Sequence, residues 1–564
     1  MTMQVNVKQR RMFCRSGALA ANCAHIGNTH SVNAPASAGS PDQRRLRLLW
    51  LLLCLAYLAS LGVAPLFDVD EGAFAEASRE MLASGDWGHT TLNGTDRFDK
   101  PILVYWLQAA AMAVFGINEW AVRLPSALCA LATAWLVGLY AGRAWGQQAR
   151  WPATFLLATS LGFVVIGRAA TADALLNLLL ALTGLRLWRF ATGGQAADWR
   201  WACWWAGWGL LAKGPVAVLV PGAALLLWSL ATDRSQRLRQ ALADWRGWLM
   251  LLGVAMPWYS YALWRHGPAF VDGFFLRHNL NRFSGPLEGH GGSLLYYLLV
   301  LPLLWLPWPL LLALLLRRVR PLWHDHSLRF LLLWAGFVLV FFSLSGTKLP
   351  HYALYGSVPL ALLMAHLLGQ VKLHPVLGRL LAWSVPLLVL LMAALPVLAL
   401  RLGERLPDAW LAGLFATAAP VWPVLWSAVA ALLLMAVAAR WLRTAHAGAA
   451  PHLLLWTAGV IGLAHFTLFV VPWWGSTLQG PVREAGQWAR AHGSDCVQWQ
   501  LHQPSFAFYS RQATPLRAPG SAELALIRLD RMPTGLAVQP LFVSRGLALV
   551  AGPQPTASAP PAAP

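Results

Sequence analysis

The sequence predicts an all-α polytopic membrane protein, with about 13 transmembrane helices and a small α/β domain near its C-terminus. Of its 564 residues, 57% are hydrophobic and 12% are charged, whereas soluble domains carry about 25% charged residues. Apolar stretches of about 20 residues, the length needed to cross a bilayer, recur along most of the chain. Their continuous rather than alternating pattern favours helices over a β-barrel.

The apolar stretches place the individual spans. Residues 101–116 are interpreted as an apolar helix along the outer interface, because counting them as a span would invert every later loop. The spans are predicted near 46–64, 121–142, 149–166, 170–190, 199–212, 214–231, 247–264, 294–316, 329–345, 351–369, 376–401, 415–439 and 453–472.

The arginines predict the orientation of the chain in its membrane. Cytoplasmic loops are enriched in Lys and Arg, and this rule places the Arg44-Arg45-Leu46-Arg47 cluster and the N-terminus in the cytoplasm. An odd number of spans then places the C-terminus in the periplasm. Because the arginines lie in short loops between apolar stretches, the net charge of +20 is attributed to topology and lipid contact, and no nucleic-acid partner is predicted.

Four regions follow from the changes in composition. Residues 1–44 are interpreted as a disordered cytoplasmic tail or as an upstream extension, without a signal peptide. Residues 45–475 form the transmembrane catalytic domain, 476–553 the periplasmic α/β domain, and 554–564 a disordered tail. The α/β prediction rests on four short β-like runs among Gly and Pro turns, at Cys496–Leu501, Phe506–Tyr509, Ala525–Leu529 and Leu547–Val550.

Two acids follow the first predicted span directly. Asp70 and Glu71 are predicted to begin a helix that runs to about Ser84, before Gly85. Acids in the first turn can simply complement the helix dipole. A carboxylate at the boundary between water and lipid can also act as a general base or a metal ligand. Both interpretations remain open for this pair.

Cations and further acids lie at the same predicted face. Asp99 and Lys100 precede a helix that begins with Pro101. Arg168 and Asp173 lie at the outer end of a span, either as a structural ion pair or as functional groups. Lys213-Gly214-Pro215 breaks a long apolar stretch, and a lysine at such a break suits an anionic ligand such as a phosphate. Lys348, His351 and Tyr352 flank Pro350 at another break.

The loop 265–293 combines Arg, His and Gly with several Phe residues. This composition is typical of a loop that closes over a charged ligand while packing on the membrane surface. The cations together suit a lipid phosphate, and the carboxylates and histidines suit a divalent cation or proton transfer. Because neither a GxGxxG nor a Walker A pattern is present, we expect an activated donor that resides in the membrane.

With these residues, the chain resembles the bacterial membrane glycosyltransferases of GT-C fold that use polyprenyl-phosphate sugars. This group includes the aminoarabinose transferases of lipid A and the protein O-mannosyltransferases. The resemblance covers roughly residues 45–475. It rests on the order of Asp70-Glu71 with Ala75-Glu76 and Met81, Gly85-Asp86-Trp87, Leu92-Asn93-Gly94, Phe98-Asp99-Lys100-Pro101 with Tyr105-Trp106, Phe115 to Glu119, Arg123 to Ser126, Arg168 to Asp173, Lys213-Gly214-Pro215, and Lys348 to Tyr352.

The resemblance implies an inverting transfer from a polyprenyl-phosphate sugar at the periplasmic face. It places Asp70 at the reaction centre and Asp99 with His278 at a possible divalent metal ion, Zn²⁺, Mg²⁺ or Mn²⁺. Two further acids, Glu71 and Asp173, are predicted as catalytic or polar-cavity carboxylates. The residues predicted to bind the donor phosphate are Lys100, Arg168, Lys213, Arg282, Lys348 and Tyr352.

The acceptor and two other functions remain open at this point. A periplasm-facing lipid such as lipid A, or another glycolipid, is the expected acceptor. A protein O-mannosyltransferase-like activity is the alternative within the enzyme class. A lipid or sugar transporter would also have many spans and charges within the membrane, but its charges would gather at the midplane of inverted repeats, whereas these gather at one face.

Overall fold

The computed structural model describes residues 41–285, 291–370, 375–403, 405–445, 451–521, 523–532 and 540–552. The predicted tails lie outside these residues, except that 41–44 begin the first helix. The chain divides into the units Met1–Arg45 and Leu46–Pro564. All contacts considered below lie within the second unit.

Helices make up most of the first half of the chain. The N-terminal helices are α1 (Pro41–Leu58), α2 (Asp70–Ser84), α3 (Leu103–Phe115), α4 (Glu119–Trp145), α5 (Gln147–Ala158) and α6 (Leu161–Arg168). A short hairpin of β1 (Thr91–Leu92) and β2 (Thr95–Asp96) lies between α2 and α3. The next helices are α7 (Asp173–Ala191), α8 (Ala196–Lys213), α9 (Val216–Ala231), α10 (Ser235–Ala243), α11 (Trp245–His266) and α12 (Pro268–Phe270).

A π-helical segment, Val271–Asn281, follows α12 and leads into α13 (Arg282–Ser284). Then come α14 (Tyr296–Leu304), α15 (Pro309–His324), α16 (His326–Leu344), a 3₁₀ turn (Pro350–Gly356), α17 (Ser357–Gln370), α18 (Pro375–Gly403), α19 (Ala409–Ala416), α20 (Trp422–Ala445) and α21 (Pro451–His465). A second π-helical segment, Phe466–Val470, joins α21 to α22 (Val471–Leu478).

The apolar helices are long enough for a multi-pass membrane protein. By length and composition, seven helices among the described residues can cross a membrane, and the bent pair α5–α6 makes an eighth if it is one span. The seven are Glu119–Trp145, Asp173–Ala191, His326–Leu344, Pro350–Gln370, Val376–Gly403, Trp422–Leu442 and His452–Leu478.

The C-terminal region is a small α/β unit. It comprises α23 (Gly480–His492), β3 (Cys496–Gln498), α24 (Pro504–Ser510), β4 (Leu524–Arg528), a 3₁₀ turn (Leu529–Arg531), β5 (Pro540–Ser544) and β6 (Leu547–Ala551). The strands form one sheet in the order β3-β4-β6-β5, in which β3 and β4 are parallel and the other neighbours antiparallel. The predicted runs at 496–501, 525–529 and 547–550 therefore correspond to strands.

The fourth predicted β-like run, Phe506–Tyr509, is wrong, because these residues form helix α24. Pro504 lies in the first turn of this helix, where its missing N–H costs nothing. Phe506, Phe508 and Tyr509 are all buried. An apolar run this short has no periodicity that separates a buried strand from a buried helix. Strand β5, which follows the undescribed residues 533–539, was not predicted.

Helix α2 begins at Asp70 and ends at Ser84, as predicted. Gly85 ends it in the left-handed conformation with φ 72°, and its N–H donates to the carbonyl of Met81. The predicted break after Lys213 is also confirmed. Gly214 separates α8 from α9 with φ 81°, and the ring of Phe274 lies where a β-carbon at this position would be.

A buried ion pair fixes the start of α2. The guanidinium of Arg123 on α4 donates to both oxygens of Glu71, at 2.9 and 2.6 Å. It also donates to the carbonyls of Leu61, Ala64 and Pro65 in the segment between α1 and α2. Burial would raise the pKa of Glu71, but Arg123 and backbone N–H groups lower it below its ordinary value. The structure thus gives Glu71 a structural role instead of the predicted catalytic one.

Replacing Arg123 with Ala should strongly destabilise the protein. A buried ion pair that loses one partner costs about 3–5 kcal/mol, because the remaining charge stays buried. Thermal or denaturant unfolding of the detergent-solubilised protein measures this loss. Arg143→Ala is the matched control, since Arg143 is exposed on the same helix. An equal effect of the two substitutions would contradict the role assigned to Arg123.

The α/β unit docks onto the segment before α2 through Asp68. The backbone N–H of Ser505 donates to one oxygen of Asp68 at 2.9 Å, and the Ser505 hydroxyl contacts the other. Tyr509 adds a hydrogen bond from the N–H of Leu66 to its hydroxyl, at 2.8 Å. Burial raises the pKa of Asp68 to about 7, against the hydrogen bonds from Ser505, which lower it.

The raised pKa of Asp68 predicts a pH-dependent stability. Between its ordinary value of 3.8 and about 7, the folded protein holds a proton that the unfolded chain has released. The contribution of Asp68 to the free energy of unfolding is therefore largest at low pH and falls as the pH rises through this window. Asp68→Asn should remove it, so the difference in melting temperature between wild type and variant should change from pH 4 to 7. A constant difference would contradict the prediction.

Candidate active site

Asp99 organises a polar group just before α3. His278 Nε2 lies 2.9 Å from one oxygen of Asp99, and the guanidinium of Arg97 lies 2.9 Å from the other. Arg97 also donates from Nε to the hydroxyl of Tyr105 at 3.2 Å. Burial would raise the pKa of Asp99, but the hydrogen bond from His278 and the charges of Arg97 and Lys100 hold it well below its usual range. Asp99 is therefore a carboxylate at neutral pH.

Asp70 and Lys100 lie beside this group. Asp70 is exposed at the first position of α2. Burial lowers the pKa of Arg97, whereas Tyr105, Asp99 and Asp70 raise it above its ordinary value, which places Asp70 within electrostatic range. The ammonium of Lys100 donates to the backbone carbonyl of Asp99 at 3.0 Å. The structure thus brings the predicted residues Asp70, Asp99 and Lys100 together near Arg97.

A second polar group lies where α7, α8 and the 3₁₀ turn meet. The ammonium of Lys213 lies 2.5 Å from Asp173 and 2.8 Å from the hydroxyl of Tyr355. Tyr355 donates to Asp173 at 2.8 Å, and His351 Nε2 lies 3.5 Å from the same oxygen. Asp173 is 5% exposed. This group is a satisfied network of charge and hydrogen bonds rather than an open carboxylate.

The π-helical segment Val271–Asn281 connects the two groups. Its Phe274 packs against Gly214, next to Lys213, and His278, four residues later, contacts Asp99. The prediction that this loop contributes a histidine to the site is consistent with this geometry. Arg282 lies just beyond the segment, and its side chain is outside the described part of the chain.

The remaining predicted phosphate-binding residues have other partners. Arg168 does not pair with Asp173, because its guanidinium donates to the carbonyls of Ala56 and Tyr57 and to the hydroxyl of Ser60. It therefore supports the C-terminal end of α1. Lys348 is buried and donates to the carbonyl of Ser345 at 2.6 Å. The buried ring of Tyr352 lies 5.5 Å from the ammonium of Lys213.

Arg97 in the first group and Tyr355 in the second were not predicted as site residues. Arg97 lies two positions before Asp99, and this spacing could have suggested it. Tyr355 lies three positions after Tyr352, so the two share a face of a 3₁₀ turn. Neither spacing predicts the partner, because Tyr355 meets Asp173 across 182 positions of sequence.

The two groups differ in what they can do chemically. Asp70 offers an exposed carboxylate that can position a hydroxyl or accept its proton, next to cations that can bind a phosphate. His278 Nδ1 is buried without a hydrogen-bond partner among the described residues. Asp99 and His278 together offer one oxygen and one nitrogen donor, a pair that suits a divalent metal if a ligand supplies the remaining positions.

Comparison with known proteins shows which sequences and folds this chain is similar to. Residues 99–261 match the family model described as dolichyl-phosphate-mannose-protein mannosyltransferase. The chain is 34% identical over 328 residues to "undecaprenyl phosphate-alpha-4-amino-4-deoxy-L-arabinose arabinosyl transferase 1" of Pseudomonas fluorescens, covering 57% of this chain and 59% of that protein. A transferase of the same kind from Shewanella sediminis is 30% identical over 327 residues, covering 56% and 58%.

The predicted resemblance is confirmed. Over about 330 residues the chain is similar in sequence to curated aminoarabinose transferases. It spans less than two thirds of the length of these curated relatives. The structure of ArnT from Cupriavidus metallidurans bound to undecaprenyl phosphate superimposes with a TM-score of 0.74 at 21% identity, covering 90% of this chain and 99% of that one. The apo structure of the same protein superimposes equally well, with a TM-score of 0.74. The chain thus has the fold of ArnT and is a multi-pass membrane protein.

Replacing Lys213 with Met should destabilise the protein more than replacing Tyr355 with Phe. Loss of the lysine leaves the Asp173 carboxylate buried without its closest cation, at a cost of about 3–5 kcal/mol. Loss of the tyrosine hydroxyl removes a hydrogen bond to a charged group, worth about 1.5–3 kcal/mol. Unfolding measurements compare the two variants. The double variant with Asp173→Asn and Lys213→Met should recover part of the stability that Lys213→Met loses. If the losses of the two single variants simply add up in the double variant, the proposed interaction between Lys213 and Asp173 is contradicted.

Proposed function

We propose that this protein transfers a sugar from an undecaprenyl-phosphate donor to a periplasm-facing lipid acceptor. The observation that carries the proposal is the exposed Asp70 carboxylate beside Arg97, Asp99, Lys100 and His278, in a membrane protein with the fold of ArnT. The names of the curated relatives support 4-amino-4-deoxy-L-arabinose as the sugar. Lipid A, or a similar glycolipid, is the proposed acceptor.

The proposed reaction is a single displacement with inversion. An acceptor oxygen attacks the anomeric carbon while the bond from that carbon to the phosphate oxygen breaks, and undecaprenyl phosphate leaves with the electron pair. Asp70 positions the acceptor and takes the proton when the acceptor is a hydroxyl. Cations at the phosphate stabilise the charge of the leaving group.

Lys100 is the strongest candidate for contact with the donor phosphate, because it lies next to Asp99, whose carboxylate its charge influences. Lys213 lies next to Gly214, against which Phe274 packs, and its ammonium is 5.5 Å from the ring of Tyr352, so the two residues suit a deeper part of the donor site. Lys348 and Arg282 remain proposed phosphate ligands. Arg168 is assigned to support of α1 instead.

We propose that Asp99 and His278 can hold a divalent metal, Zn²⁺, Mg²⁺ or Mn²⁺. The close approach of His278 Nε2 to Asp99, at 2.9 Å, supports this fit. When bound, such an ion would neutralise part of the charge on the leaving phosphate. Among the protein groups, Arg97 holds the Asp99 carboxylate in place, and the π-helical segment presents His278 to it.

We propose 13 membrane spans, with the N-terminus in the cytoplasm and the α/β unit in the periplasm. The seven long helices and the pair α5–α6 supply eight. The other five are α1, α8, α9, α11 and the pair α14–α15, and the arginines of the loops between spans support the orientation. At 13 residues, α3 is short for a span and suits the outer interface. A bacterial inner membrane is the proposed location.

A second candidate function is transfer to a protein. The match of residues 99–261 to a family model named for dolichyl-phosphate-mannose-protein mannosyltransferases favours this candidate. The same site would then act on a serine or threonine hydroxyl, and the acceptor alone would differ.

Asp70→Asn should abolish sugar transfer while the protein still inserts into the membrane. The amide keeps the size of the side chain but can neither carry the charge nor take a proton. Mass spectrometry of lipid extracts from cells that express either protein should show a sugar-sized mass increment with the wild type alone.

Asp233→Asn is the matched control, because Asp233 is an exposed acid in a loop that we place in the cytoplasm. Near-normal transfer by Asp70→Asn would remove Asp70 from the mechanism. Absence of any lipid difference, together with a glycosylated protein, would favour the second candidate.

A further inference from the structure

Three potential metal ligands meet at a polar cavity outside the group around Asp99. One ligand atom from each of His89, Asp96 and His266 lies within 4.8 Å of the others. His89 Nε2 is 2.9 Å from one oxygen of Asp96, and His266 Nδ1 is 3.5 Å from the other. The cavity has a volume of about 430 Å³ and is lined by Met81, Ser84, Asp86, His89, Thr91, Asp96, Arg265 and His266.

The three residues come from distant parts of the chain. His89 precedes β1 and Asp96 ends β2, so the two flank the hairpin. His266 is the last residue of α11. The side chains of His89 and His266 are 9% and 12% exposed, whereas that of Asp96 is 54% exposed. The two imidazoles are therefore held in place, and the open side of the group faces the cavity.

The donor set has the chemistry of a transition-metal site. Two imidazole nitrogens and one carboxylate, with an open fourth position, are typical of a site for zinc. Zinc, copper, iron and nickel suit imidazole ligands, whereas Mg²⁺ and Ca²⁺ prefer oxygen. A plain His–Asp hydrogen bond would account for one imidazole. It does not account for the second, whose ring centre lies 4.3 Å from that of the first and whose Nδ1 approaches the other oxygen of the same carboxylate.

The neighbouring charges permit a cation. Arg265 is the nearest guanidinium in the cavity lining, and it forms an ion pair with Asp86 at 2.7 Å. Asp86 also accepts a hydrogen bond from the N–H of Gly88. The positive charge of Arg265 is therefore balanced, and Asp96 contributes a further negative charge at the cavity.

We propose that His89, Asp96 and His266 bind a divalent transition metal, with zinc as the best match, and that this ion ties the β1–β2 hairpin to the end of α11. The site is separate from the Asp99–His278 pair. The ring of Phe98, the residue before Asp99, lies 5.1 Å from that of His266 and 6.3 Å from that of His89.

A metal ion bound by these three residues would position the loop of Asp99 relative to the π-helical segment that carries His278. Asp96 lies three residues before Asp99, and His266 lies 12 residues before His278 in the sequence. Phe98 packs against Phe270 and against the backbone at Gly273, in the segment that carries His278. An ion at this position would therefore fix the loop of Asp99 against the π-helical segment. Metal binding itself does not depend on the proposed transfer reaction.

Zinc binding by the purified full-length protein tests the proposal. The protein is stripped with a chelator, loaded with zinc sulfate and assayed by competition with a chromogenic chelator. His89→Gln, Asp96→Asn and His266→Gln should each weaken binding of one zinc ion by at least about tenfold, the lower end of the loss from even outer-shell substitutions. His324→Gln, a substitution of an exposed histidine at the end of α15, should leave the affinity unchanged.

His278→Gln separates this site from the Asp99–His278 pair, and it should retain the zinc ion that the three variants lose. X-ray absorption of zinc-loaded His278→Gln protein should show two imidazole ligands, a readout that does not require the three variants to fold. Affinity unchanged in all three variants, or fewer than two imidazoles at the zinc, would overturn the proposal. Loss of sugar transfer by Asp70→Asn with zinc still bound would leave it intact.

Discussion

The buried pair of Glu71 and Arg123 is the constraint on which the rest of the site depends. Arg123 donates hydrogen bonds to the carbonyls of Leu61, Ala64 and Pro65. Glu71 accepts hydrogen bonds from the N–H groups of Phe67 and Ala170. One ion pair thus holds the segment after α1, the start of α2 and the residues before α7. Asp70 is next to Glu71, and Asp173 lies three residues after Ala170. The positions of Asp70 and Asp173 therefore depend on Glu71, which is itself buried and not accessible to a substrate.

The π-helical segment Val271–Asn281 contacts both polar groups of the site. A π-helix has a wider turn than an α-helix, and such segments are frequent at functional sites. Here Phe274 packs on Gly214, where a β-carbon would lie 2.7 Å from the ring. The same segment presents His278 to Asp99. The glycine after Lys213 is therefore required twice, once for its positive φ and once for the close approach of this ring.

The sequence predicts the local elements of this site well and their partners poorly. The bounds of α2 and the break at Lys213 follow from local signals, because acids, Gly and Pro act within one helical turn. The closeness of Arg168 and Asp173 in sequence leaves a mutual ion pair open as one interpretation, yet each has its partners on other elements. Glu71 and Asp70 are adjacent acids with opposite environments, and only tertiary packing decides which one is buried. The same limit applies to Phe506–Tyr509, where a short apolar run fits a buried strand and a buried helix equally well.

Accessibility decides which of the two polar groups can perform chemistry. The carboxylate of Asp173 contacts Lys213, Tyr355 and His351 within the protein, so a substrate would have to displace one of them to reach it. Asp70 is exposed, and its neighbours Arg97 and Asp99 are held by Tyr105 and His278. A nucleophile can approach Asp70 without breaking an internal contact. We therefore infer that Asp173 shapes the cavity and holds Lys213 in place, while the bond-making step takes place at Asp70.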